Sequence, residues 1–171
     1  MGRGVIVVAL AAAVLAVPAL GSSTGSADVL KVFAKQLPTV KRKTSVAVLL
    51  PATLPFGGEV PARLFATGSA GRTSWTLELD GAPNCGSADA CFLASFQARR
   101  GGHLPSNRNL TLRGGQPAFY KGITCGASCS PATLWFTYRG VLYAWQHKDP
   151  PRNAKAVLAR LAAQAISAGP R

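Results

Sequence analysis

The residues best able to do chemistry in this chain are four cysteines in two tight pairs, Cys85 with Cys91 and Cys125 with Cys129. Paired thiols can hold a metal, exchange electrons or close as disulfides. No C-x-x-C motif occurs, which weakens a thiol-oxidoreductase reading. A four-thiolate zinc site would need both loops to meet, and the C-x5-C and C-x3-C spacings do not together match the usual zinc pairs. In an oxidising compartment an even cysteine count reads as disulfides, although four cysteines allow three pairings. The local pairs are the favoured expectation, because Gly86, Ser87 and Ala88 in one loop and Gly126, Ala127 and Ser128 in the other permit tight closure. Each short loop would contribute only about 2 kcal/mol on the chain-entropy account.

Catalytic groups are sparse. The acidic residues are Asp28, Glu59, Glu78, Asp80, Asp89 and Asp149, and the histidines are His103 and His147. Ser128 or Ser130 with His103 and Asp89 has the types of a Ser–His–Asp site, but no G-x-S-x-G elbow supports it. A serine beside a cysteine in a short loop reads more simply as a turn residue. Glu78 and Asp80 have strand spacing and can share a face, as a carboxylate pair or as a solvated strand end. Nothing in the spacing of the two histidines predicts a metal site. No P-loop or Rossmann glycine pattern is present, so neither a metal nor a cofactor is expected.

Charge is the second chemical resource. Nineteen Lys and Arg face six Asp and Glu, a formal charge of +13. So basic a chain is drawn to polyanions. The best local clusters, and the candidate anion-binding residues, are Lys41-Arg42-Lys43 and Arg99-Arg100. Arg99-Arg100 precedes Gly101-Gly102, where backbone N–H groups could help hold an anion; the plainer reading is edge charge that discourages strand pairing. Neither cluster carries a nucleic-acid motif or interleaved aromatics, so no specific nucleic acid is expected.

The N-terminus reads as an export signal. Arg3 precedes an apolar run of 16 residues, Val5 to Leu20, shorter than the roughly 20 that span a bilayer. Ala19 and Gly21 allow cutting before Ser22, and Gly25 and Ala27 before Asp28, the preferred site. A signal over 1–27 leaves one domain, 28–171, of 144 residues with charge +12, since only Arg3 is lost among the charged groups. No further apolar run approaches spanning length, so no transmembrane segment is expected after signal removal. The expected address is periplasmic or extracellular.

The pattern behind these groups is α+β: an antiparallel sheet of about six to seven strands with an N-terminal and a C-terminal amphipathic helix. Helices are expected at Asp28–Leu37, ended by Pro38, and at about Arg152–Ser167. Strands are expected at Ser45–Leu50, Ala62–Thr67, Thr73–Leu79, Cys91–Gln97, Leu110–Arg113 and Ala118–Tyr120. Leu134–Tyr138 and Val141–Gln146, joined by Arg139-Gly140, make the clearest hairpin.

Three stretches resemble a group of uncharacterised exported bacterial proteins, frequent in cyanobacteria. They are Ala82-Pro83-Asn84-Cys85 through Ala90-Cys91-Phe92 with Arg100-Gly101-Gly102 beyond, Cys125-Gly126-Ala127-Ser128-Cys129-Ser130-Pro131, and Gly140-Val141-Leu142-Tyr143. The resemblance implies export and two short cysteine loops, and no activity. The last hairpin and helix are also similar in outline to a bacterial envelope domain of unknown function linked to sigma-factor regulation. Where that pattern expects Trp, this chain has Phe136, with Trp135 beside it.

The reading that follows is a non-catalytic exported module of the envelope. It would bind an anionic polymer, a lipid or another envelope protein through a basic surface. The alternatives are a small envelope hydrolase using Ser128 or Ser130 with His103, and a carrier whose sheet cups an apolar ligand.

Overall fold

The structure, a computed structural model, describes residues 25–85 and 90–171. Positions 1–24 of the expected leader, and Gly86, Ser87, Ala88 and Asp89 of the first cysteine loop, lie outside the described residues.

The described chain opens with a short strand, β1 (Ser26–Asp28). A single helical turn follows, α1 (Val29–Val32), whose Lys31 amide donates to the Asp28 carboxylate at 3.0 Å. Next come α2 (Leu37–Lys43) and β2 (Thr53–Pro55), which pairs antiparallel with β1. The main sheet is built from β3 (Phe65–Gly71), β4 (Ser74–Asp80), β5 (Phe92–Arg100), β6 (Leu110–Thr111) and β7 (Pro117–Lys121). A miniature ladder, β8 (Thr124–Cys125) with β9 (Cys129–Ser130), precedes β10 (Ala132–Tyr138), β11 (Val141–His147) and α3 (Ala154–Ala168). The seven main strands run in the order β3-β4-β5-β11-β10-β7-β6, every neighbour antiparallel.

The alternation that predicts the sheet also builds its core. Trp75, Leu77 and Leu79 of β4 are buried while Ser74, Thr76 and Glu78 are only partly so. Phe96, Phe136, Tyr143 and Trp145 meet from three neighbouring strands. Trp145 takes Phe96 and Phe136 edge-on, at centroid distances of 5.4 and 5.2 Å, the arrangement ring quadrupoles favour. Leu158, Leu161, Ala162 and Ala165 of α3 join the same cluster. Of the two neighbouring aromatics on β10, Phe136 is the buried one; Trp135 is half-buried and packs on Phe119 at 5.5 Å. In the β10–β11 turn, Arg139 and Gly140 have φ of 50° and 72°. Two left-handed residues in a two-residue loop are what a type I′ turn requires, so Arg139 here does work usually given to Asn.

Several expectations are corrected. The helix over Asp28–Leu37 is not formed: α1 is one turn, and α2 starts where that helix was to end. Pro38 occupies the first turn of α2, where its missing N–H has no helical partner to lose, so it starts a helix instead of stopping one. Lys41-Arg42-Lys43, expected in a loop, forms the last turn of α2, where cations suit the helix dipole. Val46, Val48, Leu49 and Leu50 are buried, but Ser45–Leu50 is not a strand. Its backbone is held by groups outside any ladder: Ser45 N–H donates to Arg72 O at 3.0 Å, and Trp75 Nε1 and the Tyr143 hydroxyl both donate to Ala47 O, at 3.2 and 2.9 Å. β3 runs to Gly71, beyond the expected Thr67, because pairing with β4 recruits small residues that read locally as a loop. Gly25 to Ala27, the tail of the expected leader, make contacts in this fold: Phe56 N–H donates to Gly25 O at 2.9 Å, and Ala27 pairs with Leu54 and is buried.

Both local cysteine pairs are at disulfide distance, with Cα separations of 5.8 Å for Cys85–Cys91 and 4.0 Å for Cys125–Cys129. They close at one end of the sheet. The first lies between the end of β4 and the start of β5, and the second between the end of β7 and the start of β10.

Candidate anion-binding surface

Antiparallel register fixes what stands at the opposite end. That end is made by the β3–β4 turn, the end of β5, the β10–β11 turn and the β6–β7 turn. Each carries an arginine beside a glycine: Gly71-Arg72, Arg100-Gly101, Arg139-Gly140 and Arg113-Gly114. The turns are tied together by backbone, with Arg100 N–H donating to Thr73 O at 2.9 Å and Gly101 N–H to Gly140 O at 3.4 Å. Because the Gly101 amide is already used, an anion at this end would be met by side chains and not by that amide.

Both clusters singled out from sequence lie at this end, and Arg100 links them. The Arg100 guanidinium donates to Ser45 O at 3.2 Å, which sets the end of β5 against the segment leaving α2 directly after Lys41-Arg42-Lys43. Lys41, Arg42, Lys43, Arg72, Arg99, Arg100, Arg113 and Arg139 are all exposed. Arg139 lies over the Tyr138 ring, 5.1 Å from its centroid. Arg171 joins them: its amide donates to Val48 O at 3.0 Å, and its Nε is buried without a partner beside a cleft of about 290 Å³ shared with Lys41, Thr44 and Ser45. A buried guanidinium N–H with no acceptor is a donor waiting for one.

No described carboxylate side chain stands at this end. Glu78 and Asp80 occupy the far half of β4, and Asp149 follows β11 and accepts from the Gly58 amide at 3.1 Å, next to Glu59. Asp28 caps α1. The sheet is therefore polarised along its strands, with its described acids away from the arginine-bearing turns.

The other sequence candidates are not brought together. His103 leaves the sheet after Arg100, whereas Ser128 and Ser130 sit in the exposed β8–β9 ladder at the opposite end. Asp89 lies outside the described residues. Among the described residues, no group of three or more His, Cys, Asp or Glu could hold a metal ion, and no helix is long and apolar enough to cross a membrane.

Comparison with known protein families, curated proteins and solved structures returns no match. The surface must be read from its own residues. Sequence reading missed Arg72, Arg113, Arg139 and Arg171 because each is a single charge far from the others along the chain. The signal that could have found the first three is the recurrent pairing of Arg with a turn glycine.

His147 belongs to the core. It is fully buried, packs edge-on to Phe56 at 5.2 Å, and one ring nitrogen lies 2.7 Å from Pro55 O while Nδ1 has no partner. Burial pulls its pKa below the ordinary 6.5, against smaller upward effects of the Pro55 carbonyl and Asp149. The neutral ring favours the fold, so this stability is fully present above about pH 6.5 and is lost as pH falls toward the folded-state pKa. Asp80 acts with the opposite sign. Melting temperatures of the wild type and of His147→Gln from pH 5 to 7.5 should therefore diverge: the wild type loses up to about 1.4 kcal/mol per pH unit more than the variant. Parallel curves would contradict the assignment.

Proposed function

We propose that this chain is an exported envelope or periplasmic binding module that holds a phosphate-rich anionic polymer on the arginine-bearing end of its sheet. One observation carries the reading: six separate segments deliver nine basic side chains to one end that holds no described carboxylate side chain. Seven of the nine are arginine, whose planar fork matches phosphate oxygens in pairs. Full-length protein should bind a phosphate-bearing matrix at low salt and elute as salt rises, while a neutral matrix of the same polymer fails to retain it. Equal behaviour on both matrices would defeat the reading.

Export itself is part of the proposal, and the packing of β1 bears on where a leader could be cut. Cutting before Asp28 would remove Ala27, which is buried and paired with Leu54, and Gly25, whose carbonyl accepts from Phe56. Cutting before Ser22 keeps both. N-terminal sequencing of secreted protein is expected to begin at Ser22; a start at Asp28 would refute this.

A further inference from the structure

The opposite end of the molecule carries a different chemistry. A groove of about 690 Å³ runs between the segment joining α1 to α2 and the strands β3 and β4. Lys31, Lys35 and Gln36 line it from the helical side, and Thr67, Glu78 and Asp80 from the sheet. Its size suits a small ligand. The register of β4 on β5 shifts between Leu79 and Asp80, the kind of irregularity that re-aims a side chain. Asp80 is only 4% exposed, yet its Oδ1 has no hydrogen-bond partner. Gln36 donates Nε2 to Ala66 O at 2.7 Å and leaves Oε1 buried and unpartnered as well.

A buried carboxylate with an unpaired oxygen works against folding, and a second carboxylate nearby makes it worse. Burial first, and then Glu78, push Asp80 above the ordinary carboxylate range. Among the described residues its Oδ1 finds no hydrogen bond to offset this. Such a group in a groove is a functional candidate on physical grounds.

The orphaned atoms identify the partner they lack. Both are acceptors, so the partner is a donor. Two carboxylates favour a charged ammonium over a neutral hydroxyl. A polycation is opposed by the net charge of +13, and Lys31 and Lys35 in the same groove suit an anionic group on the same ligand. We propose that this groove binds a zwitterionic amino acid or short peptide with free termini. Its ammonium lies against Asp80 and Glu78, its carboxylate toward Lys31 and Lys35, and its apolar portion along Leu64 and Phe65. This site is independent of the polyanion surface.

The test is a titration of full-length, isotope-labelled protein with L-alanyl-L-alanine, followed by amide chemical shifts, with N-acetyl-alanyl-alanine and the dipeptide methyl ester as the two arms. The dipeptide should bind at millimolar concentration and perturb Leu64–Thr67 and Glu78–Asp80. Acetylation should weaken binding at least about tenfold by removing the ammonium, and esterification should weaken it less. Asp80→Asn should stay folded, melting no lower than wild type at pH 7, and lose binding at least about tenfold. Glu78→Gln, at a less buried position, supplies the same comparison if the first variant fails to fold. The proposal is overturned if no dipeptide binding is seen at millimolar concentration, if the shifts map elsewhere, or if the acetylated dipeptide or the carboxamide variants bind like the originals.

Discussion

Neutralising Lys41, Arg42, Arg99 and Arg100 to glutamine is expected to cut polyanion affinity steeply and flatten its salt dependence. Binding to a polyphosphate chain is driven by counterion release, so log K falls with log salt by about 0.9 for each duplex-DNA phosphate neutralised. Duplex DNA is a convenient sequence-blind probe. Losing four contacts should lower the slope by up to about 3.6. The informative control changes net charge equally at exposed sites away from the arginine-bearing turns, as Arg63, Arg108, Lys121 and Arg152 to glutamine. If attraction came from net charge alone, the two variants would behave alike. If the polarised sheet matters, only the first should lose the slope. Because Arg100 also bonds Ser45 O, melting temperatures of both variants must be compared before affinities are read.

Removing both side-chain donors to Ala47 is expected to be the most damaging polar change in the core. The segment 45–50 packs its Val46, Val48, Leu49 and Leu50 into the core without a ladder, and its Ala47 carbonyl accepts from Trp75 and Tyr143, which come from different strands. Burial, with Tyr138 adding to it, pushes the Tyr143 phenol up to about 12, so it remains a donor across the usable pH range. Tyr143→Phe alone leaves the indole donor in place and should cost about 1 kcal/mol. Trp75→Phe alone should cost more, since it also removes buried volume. Together they leave a part-buried carbonyl without either side-chain donor, and the pair should cost about 1 kcal/mol or more beyond the sum of the singles. Denaturant melts of the four proteins close the cycle. Strict additivity would mean that Ala47 O finds water or another donor.

The strands were legible wherever apolar residues alternate with polar ones. Trp75, Leu77 and Leu79 announce β4, and the runs flanking Arg139-Gly140 announce the last hairpin. Legibility failed where a longer-range partner overrode the local pattern. Ser45 to Leu50 reads as a strand because it is mostly apolar, but the apolarity of Val46, Val48, Leu49 and Leu50 reports burial, and the Ala47 carbonyl is held by side chains remote in sequence. Pro38 reads as a stop, and it is a start, because proline is tolerated in a first turn as readily as after a last one. The candidate surface was half legible: two clusters stand out as runs of charge, while Arg72, Arg113, Arg139 and Arg171 do not. The Asp80 groove was less legible still. Glu78 and Asp80 read as a solvated strand end, and only the fold buries one of them.

By itself, then, the sequence determined an α+β chain with a mainly antiparallel sheet, a C-terminal helix, two short cysteine loops and a large positive charge. Each follows from spacing and count, which are local properties of the chain. Tertiary structure alone decided that the cysteine loops and described acids lie away from the arginine-bearing turns. Strand order and register set that polarity, by bringing together turns that are dozens of residues apart, and no local pattern encodes which turns will be neighbours.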